Sequence, residues 1–212
     1  MAYHQINIPD WLELLLSLPI LSCRRLRYGY AFRLVPLTKG RFAKVSPCDY
    51  PEMMKYKWSA RRTPWTCYAS FYRTIKGRNK TFDMHRLIMN PPAGLIVDHI
   101  DGDGLNNCRP NLRLATPAQN SRNCCAKINV LSKYKGVSPE KRRNCWRTTL
   151  TIDGKHIYLG QFNSEIEAAK AYDKGALKYH GRFARLNFPP KRFDFKQTIK
   201  KLRNLTVRLP FS

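Results

Sequence analysis

Residues 97–120, VDHIDGDGLNNCRPNLRLATPAQN, place a carboxylate, an imidazole and two carboxamides within a short span: Asp98, His99, Asn111 and Asn120. Those groups suit hydrolysis of a phosphodiester, which needs a nucleophilic water, a way to hold charge on the phosphate, and help for the departing oxygen. A neutral imidazole titrates close to working pH, so His99 fits the base. Carboxylate and carboxamide oxygens are hard ligands. Asp98 and Asn120 therefore fit a Mg²⁺-type ion that keeps several waters, binds the phosphate and stabilises the leaving oxygen. Asn111 is placed to hold the two strand ends and to orient His99 through a backbone bond. The plainer alternative is a polar loop closing a hairpin, with Asn107 and Asn111 as turn residues.

The elements around these residues can be read from pattern. GLIVDHI (94–100) is an apolar strand whose end delivers Asp98 and His99, and LRLAT (112–116) is a second short strand. Gly102 to Asn111 forms the connecting loop. Thr116 followed by Pro117 is an N-cap and first-turn signature, which puts Asn120 on the opening turn of a helix. Upstream, RFAKV (41–45) predicts a strand, and SPCDYPEMMKY (46–56) a short helix capped by Ser46. KWSARR (57–62) and WTCYASFYRT (65–74) predict a strand pair. KGRN (76–79) predicts a turn, and FDMHRLIM (82–89) a short helix ended by Pro91-Pro92.

The order strand, loop, strand, helix, with MHRLIM (84–89), VDHIDGDGLNNCRPNLRLAT and PAQNSRN, resembles the HNH nucleases of the ββα-metal fold. The resemblance covers roughly residues 40–125. It implies His99 as general base, Asn111 as the structural member of the catalytic set, and Asp98 with Asn120 as ligands of one Mg²⁺ or another divalent cation such as Mn²⁺. The last position is Asn instead of the family's His, a variant that many homing-type members share. His85 is read as supporting the fold.

Composition agrees with a polyanionic partner. The 212 residues carry a formal charge of +25 and a pI near 10.2, yet 12% are aromatic, which separates the chain from a disordered basic tail. Nucleic acid is favoured over an anionic membrane. Seven cysteines are irregularly spaced with no CxxC pair, as expected of a reduced, intracellular protein without structural zinc. WLELLLSLPILSC (11–23) imitates a secretory segment. However, no Lys or Arg precedes it, Asp10 and Glu13 sit at its start, and it is too short to span a bilayer. A short buried or partner-packing helix is expected there.

A second module runs from Tyr134 to Pro190. YKGVSPEKRRNCWRTTLTIDGKHIYLGQF (134–162) predicts three antiparallel strands, with Asp153-Gly154 as a hairpin turn. Alternation puts Trp146, Thr148, Leu150, Ile152, Ile157 and Leu159 on one face. Ser164 and Glu167 form a capping box before a covering helix, in which Ile166, Ala169, Tyr172, Ala176 and Tyr179 recur at helical spacing and Gly181 marks the end. YKGV, Trp146-Arg147, YLGQF, AAKAYD and ARLNFP resemble the Apetala-type (ethylene-response-factor) DNA-binding domain. That family implies a sheet docked in the major groove. Its open face here would carry Arg147, Thr149, Thr151, His156 and Tyr158, with Lys135, Lys141, Arg142, Arg143 and Lys155 as phosphate contacts. Thr, His and Tyr stand where the plant factors have several Arg and Trp, so base readout is expected to differ.

The expected architecture is α+β: a leader (1–38), an HNH unit (39–125), a basic linker (126–133), the three-stranded sheet packed on one helix (134–190) and a basic tail (191–212). The expected function is a divalent-metal-dependent endonuclease of homing or mobile-element type. Its partner is double-stranded DNA, with no small-molecule cofactor and no membrane, in a cytoplasmic, DNA-associated setting. The alternative is a non-catalytic DNA-binding transcriptional regulator that keeps an HNH scaffold.

Overall fold

Leu34, Val35 and Leu37 sit in a stretch whose arginines and Pro36 disguise a period-two pattern, yet this stretch founds the first sheet. The structure is a computed structural model describing the backbone of residues 10–124 and 131–189, and side chains from residue 17 onward within those ranges. The sequence readings for the tail (191–212) and most of the linker lie outside the described residues.

Helix α1 (Asp10–Tyr28) is longer than the apolar run that predicted it and takes in Arg24, Arg25 and Arg27. Arg24 lies over the buried Phe32 ring at 4.5 Å and donates to the Phe32 carbonyl at 2.6 Å. Strands β1 (Arg33–Pro36) and β2 (Phe42–Val45) pair antiparallel, with Val35 opposite Ala43. Residues 33–36, assigned to the leader by the sequence reading, thus share a sheet with residues 42–45. β1 is an edge strand, where Pro36 costs no ladder bond.

Helix α2 (Tyr50–Met53) is a single turn, and Ser46 does not cap it. Instead the Ser46 hydroxyl accepts from the Arg109 amide at 2.8 Å. Strands β3 (Ser59–Arg62), β4 (Cys67–Ile75) and β5 (Arg78–Asp83) make the second sheet, and helix α3 (Met84–Met89) follows directly. The turn expected over 76–79 is confined to Lys76-Gly77, both at positive φ, and β5 replaces the start of the expected helix. Its residues, RNKT, carry no apolar alternation because both faces are exposed there.

Strand β6 (Ile96–His99), the two-residue strand β7 (Asn106–Asn107), strand β8 (Leu112–Ala115) and helix α4 (Pro117–Asn123) complete this unit. β6 pairs antiparallel with β8, and β7 runs parallel to β2. Beneath them lies one core containing Val35, Val45, Met53, Trp58, Met84, Val97 and Leu112. Trp58 is 1% exposed, donates its indole N–H to the Met53 carbonyl at 2.6 Å, and meets Phe71 edge-on at 5.2 Å.

The C-terminal module has strands β9 (Val137–Glu140), β10 (Cys145–Ile152) and β11 (Lys155–Phe162), with helix α5 (Glu165–His180) across one face. The fold as a whole is mixed α/β, built from small sheets and short helices. Thr148 and Leu150 are buried under α5, and the Thr148 hydroxyl donates to the Ala168 carbonyl at 3.0 Å. Ile166 and Tyr179, expected on the buried face of the helix, are 49% and 42% exposed. The contact face is the small-residue stripe Ala168, Ala169, Gly175 and Ala176, because the helix lies close to the sheet. A Cβ on Gly175 would stand 2.7 Å from Leu159. Ser164 caps the helix by accepting from the Ile166 amide at 3.2 Å.

The two units are clamped together. Arg122 pairs with Asp153 at 2.9 Å, and the Lys135 ammonium donates to the Arg122 and Cys124 carbonyls at 2.6 and 2.7 Å. Arg185 reaches the Asp101 carbonyl at 3.0 Å, and Arg113 bonds the Arg182 carbonyl while stacking over Phe183 at 4.3 Å.

Candidate active site

Asp98 and His99 close β6, and the loop after them is tied down by its own polar side chains. The Asp101 carboxylate accepts from the Asp103 amide at 2.9 Å and from the Asn111 carboxamide at 2.9 Å, and the Asn111 oxygen accepts from the Asp101 amide at 3.1 Å. Pairing of Asn106 and Asn107 with Lys44 and Val45 then fixes the loop to the core sheet.

Asp98 is buried, and both of its carboxylate oxygens accept from protein donors. Arg113, opposite it on β8, donates Nε and Nη2 to Oδ2 at 2.7 and 2.6 Å. Asn123 donates to Oδ1 at 2.9 Å and to the His99 carbonyl at 2.9 Å. These bonds compensate the buried carboxylate for the water it has lost.

The His99 ring is 6% exposed and lies between Tyr68 and His85, at centroid distances of 5.8 and 5.1 Å. Its Nε2 lies 3.2 Å from Asn107 Oδ1, while the Asn107 amide nitrogen donates to the Gly104 carbonyl at 3.5 Å. With Asn107 held so that its oxygen faces the ring, Nε2 carries the proton and Nδ1 keeps its lone pair. Among the described residues no side chain bonds Nδ1.

Burial holds His99 below its ordinary pKa, against the raising effect of the Asn107 bond. Burial pushes His85 down to about 4, and the facing His99 ring adds to that shift. An unfolded histidine takes up its proton near pH 6.5, so between 6.5 and about 4 the unfolded chain binds more protons. This contribution to stability is therefore complete above pH 6.5 and is lost as the pH falls towards 4. Thermal melts across that range are expected to show the decline, and His85→Phe is expected to flatten it. An equally steep decline in the variant would remove His85 as the cause.

Asn111 ties the loop together and does not touch the imidazole. Its backbone carbonyl accepts from the Ile100 amide at 2.9 Å, next to His99, and its amide nitrogen also donates to the Asn106 carbonyl at 2.8 Å. Asn120 lies on the first turns of α4, which a reciprocal box between Thr116 and Gln119 holds in place. It precedes Asn123 by three residues and so shares the helix face that reaches Asp98. Among the described residues no partner bonds its carboxamide.

Arg113 and Asn123 escaped the sequence reading, which takes Asn107 only as a turn residue. The Asn106-Asn107 doublet and the second Asn of NSRN were the available signals, since a fully buried asparagine must bond something.

The chemistry of the donor set fits a hydrated Mg²⁺-type ion. Asp98 retains lone pairs beyond those its partners use, and Asn120 adds a second hard oxygen. Among the described residues no cluster of three His, Cys, Asp or Glu exists, so water and phosphate would supply most of the ligands.

On the second module, Arg147, Thr151, His156 and Tyr158 are exposed on the face away from α5, Thr149 is half-buried there, and Lys155, paired with Ile152 at the hairpin turn, is exposed on the other face. Lys141, Arg142 and Arg143 form an exposed turn beside it. Lys135 departs from the expectation, because its ammonium binds the carbonyls ending α4.

A family model for HNH endonucleases matches residues 89–122. A protein of Acanthamoeba polyphaga mimivirus, described as an uncharacterized HNH endonuclease, is 34% identical over 166 residues, covering 77% of this chain and 82% of its own. Protein 3.8 of Escherichia phage T7 is 41% identical over 95 residues, covering 44% of this chain and 77% of its own. The chain belongs to the HNH endonuclease family. Its second module is AP2-like: an AP2-like ethylene-responsive transcription factor of Arabidopsis thaliana is 48% identical over 79 residues, 32% of this chain and 26% of that protein. No helix among the described residues is long and apolar enough to cross a membrane.

Proposed function

We propose that the chain is a divalent-metal-dependent DNA endonuclease of homing or mobile-element type, with β6, β8 and α4 as its ββα-metal unit and the AP2-like module as its grip on duplex DNA. Asp98 and Asn120 would hold one Mg²⁺ or Mn²⁺, which would supply charge neutralisation at the phosphate and the leaving oxygen. His99 Nδ1 removes a proton from the attacking water. Asn107 keeps the proton on Nε2, and Asn111 keeps the loop that aims the ring. The exposed sheet of the second module contacts the duplex through Arg147 and the Lys141–Arg143 turn. The observation that carries this reading is the Asn107–His99 bond, which leaves a lone pair on a buried, neutral imidazole next to Asp98.

One feature favours the regulator as a second reading: Asp98 already has a cationic partner in Arg113. The two readings separate on supercoiled plasmid. Nicking with Mg²⁺ that EDTA abolishes is the expected result. Duplex binding without nicking under either divalent ion would leave the regulator.

A further inference from the structure

Residues 72–81 form the outer half of the β4–β5 hairpin, and every one of them is exposed. β3 pairs with β4 only as far as Ser70, so beyond that point two strands continue alone. Four residue pairs, Tyr72–Thr81 to Ile75–Arg78, carry the ribbon on the order of 14 Å past the core. An unsupported two-stranded ribbon is marginal in water.

Its charge makes matters worse for the isolated protein. Arg73, Lys76, Arg78 and Lys80 lie between residues 71 and 82, where no Asp or Glu occurs. Arg73 stands directly opposite Lys80, a like-charge pair that opposes strand pairing. By strand parity Arg78 shares their face. The nearest carboxylate, Asp83 at the base, is bonded to Arg61 at 2.8 Å. Lysines on an edge strand commonly guard against aggregation, and both strands are edges here, but that role does not require Arg73 to stand directly opposite Lys80. Tyr72, 60% exposed, adds an aromatic surface to the opposite face.

We infer that this ribbon is a second DNA-binding arm, which enters a groove of the duplex next to the nuclease site. The inference rests on duplex DNA being the partner. A two-stranded ribbon is a shape the major groove admits, and a polyanion removes the Arg73–Lys80 repulsion. The arm is also tied to the site. β5 runs without a break into α3, whose His85 faces His99 at 5.1 Å. Seating the arm therefore sets which phosphate lies before His99, independently of the AP2-like sheet.

The test uses the full chain and a mixed-sequence duplex of about 40 base pairs, with binding followed by fluorescence anisotropy from low to moderate salt. Replacing Arg73, Lys76, Arg78 and Lys80 together with Ser is expected to reduce the slope of log affinity against log salt by about 3.6, near 0.9 for each of four phosphates no longer neutralised. Melting should confirm that the variant folds. In the unaltered chain, DNA is expected to shield Lys76 and Lys80 from acetylation, a readout that needs no variant. An unchanged slope with both lysines still reactive would overturn the arm alone, and so would loss of binding to phosphatidylserine vesicles in place of DNA. Failure of the unaltered chain to bind the duplex would overturn the DNA reading as well.

Discussion

His99→Ala is expected to slow DNA cleavage by about 10²–10⁴-fold, the usual range for a positioned general base, and to leave duplex binding intact. The two effects separate because the imidazole is 6% exposed and offers almost no surface to a ligand, while the exposed cations of the second module are untouched. The loss is catalytic in origin. Without Nδ1, no other buried imidazole is held in a fixed tautomer at that place. Plasmid nicking with Mg²⁺ beside anisotropy on the same preparations measures both quantities. Nicking at the unaltered rate would take His99 out of the mechanism. A parallel fall in binding would mean that the fold had been damaged.

Arg113→Ala is expected to have the largest effect on stability. The Asp98 and Arg113 side chains are 5% and 12% exposed, so removing the guanidinium strands a buried carboxylate with only Asn123 to bond it. Breaking such a pair costs about 3–5 kcal/mol, a melting shift on the order of 10 °C. Arg113→Lys should recover only part, because one ammonium cannot supply both Nε and Nη2 contacts in that geometry. In the Asp98→Ala background the Arg113→Ala cost should shrink sharply. Additive losses in the double variant would show that the pair contributes nothing of its own.

The sequence revealed the order of the site residues because each belongs to a local pattern: an apolar run ending in Asp-His, a Thr-Pro cap, an Asn one turn later. Partnerships across the fold were less visible. Whether Asn107 or Asn111 faces His99 depends on how the loop threads past β2, and neither residue type nor spacing encodes that. Arg113 read as one more arginine in a chain with 39 Lys and Arg, and only the β6–β8 register sets it opposite Asp98. The β5 strand was hidden for the opposite reason, since a ribbon exposed on both faces has no hydrophobic period to detect. The sequence reading makes Lys135 a phosphate contact of the Apetala-type module, but the carbonyls at the end of α4 attract its charge.

The seam between the two units bears on how freely such chains can trade parts. Arg113 holds the Asp98 carboxylate with one edge of its guanidinium and the Gly181–Phe183 turn with the other, while Arg185 rests on the backbone of Asp101. A swap of the C-terminal half at the linker would leave this arginine without its carbonyl and aromatic seat. Successful recombinants would need to carry the 181–185 segment along with the scissile machinery, so the natural crossover point lies in space at that turn and not along the chain at the linker.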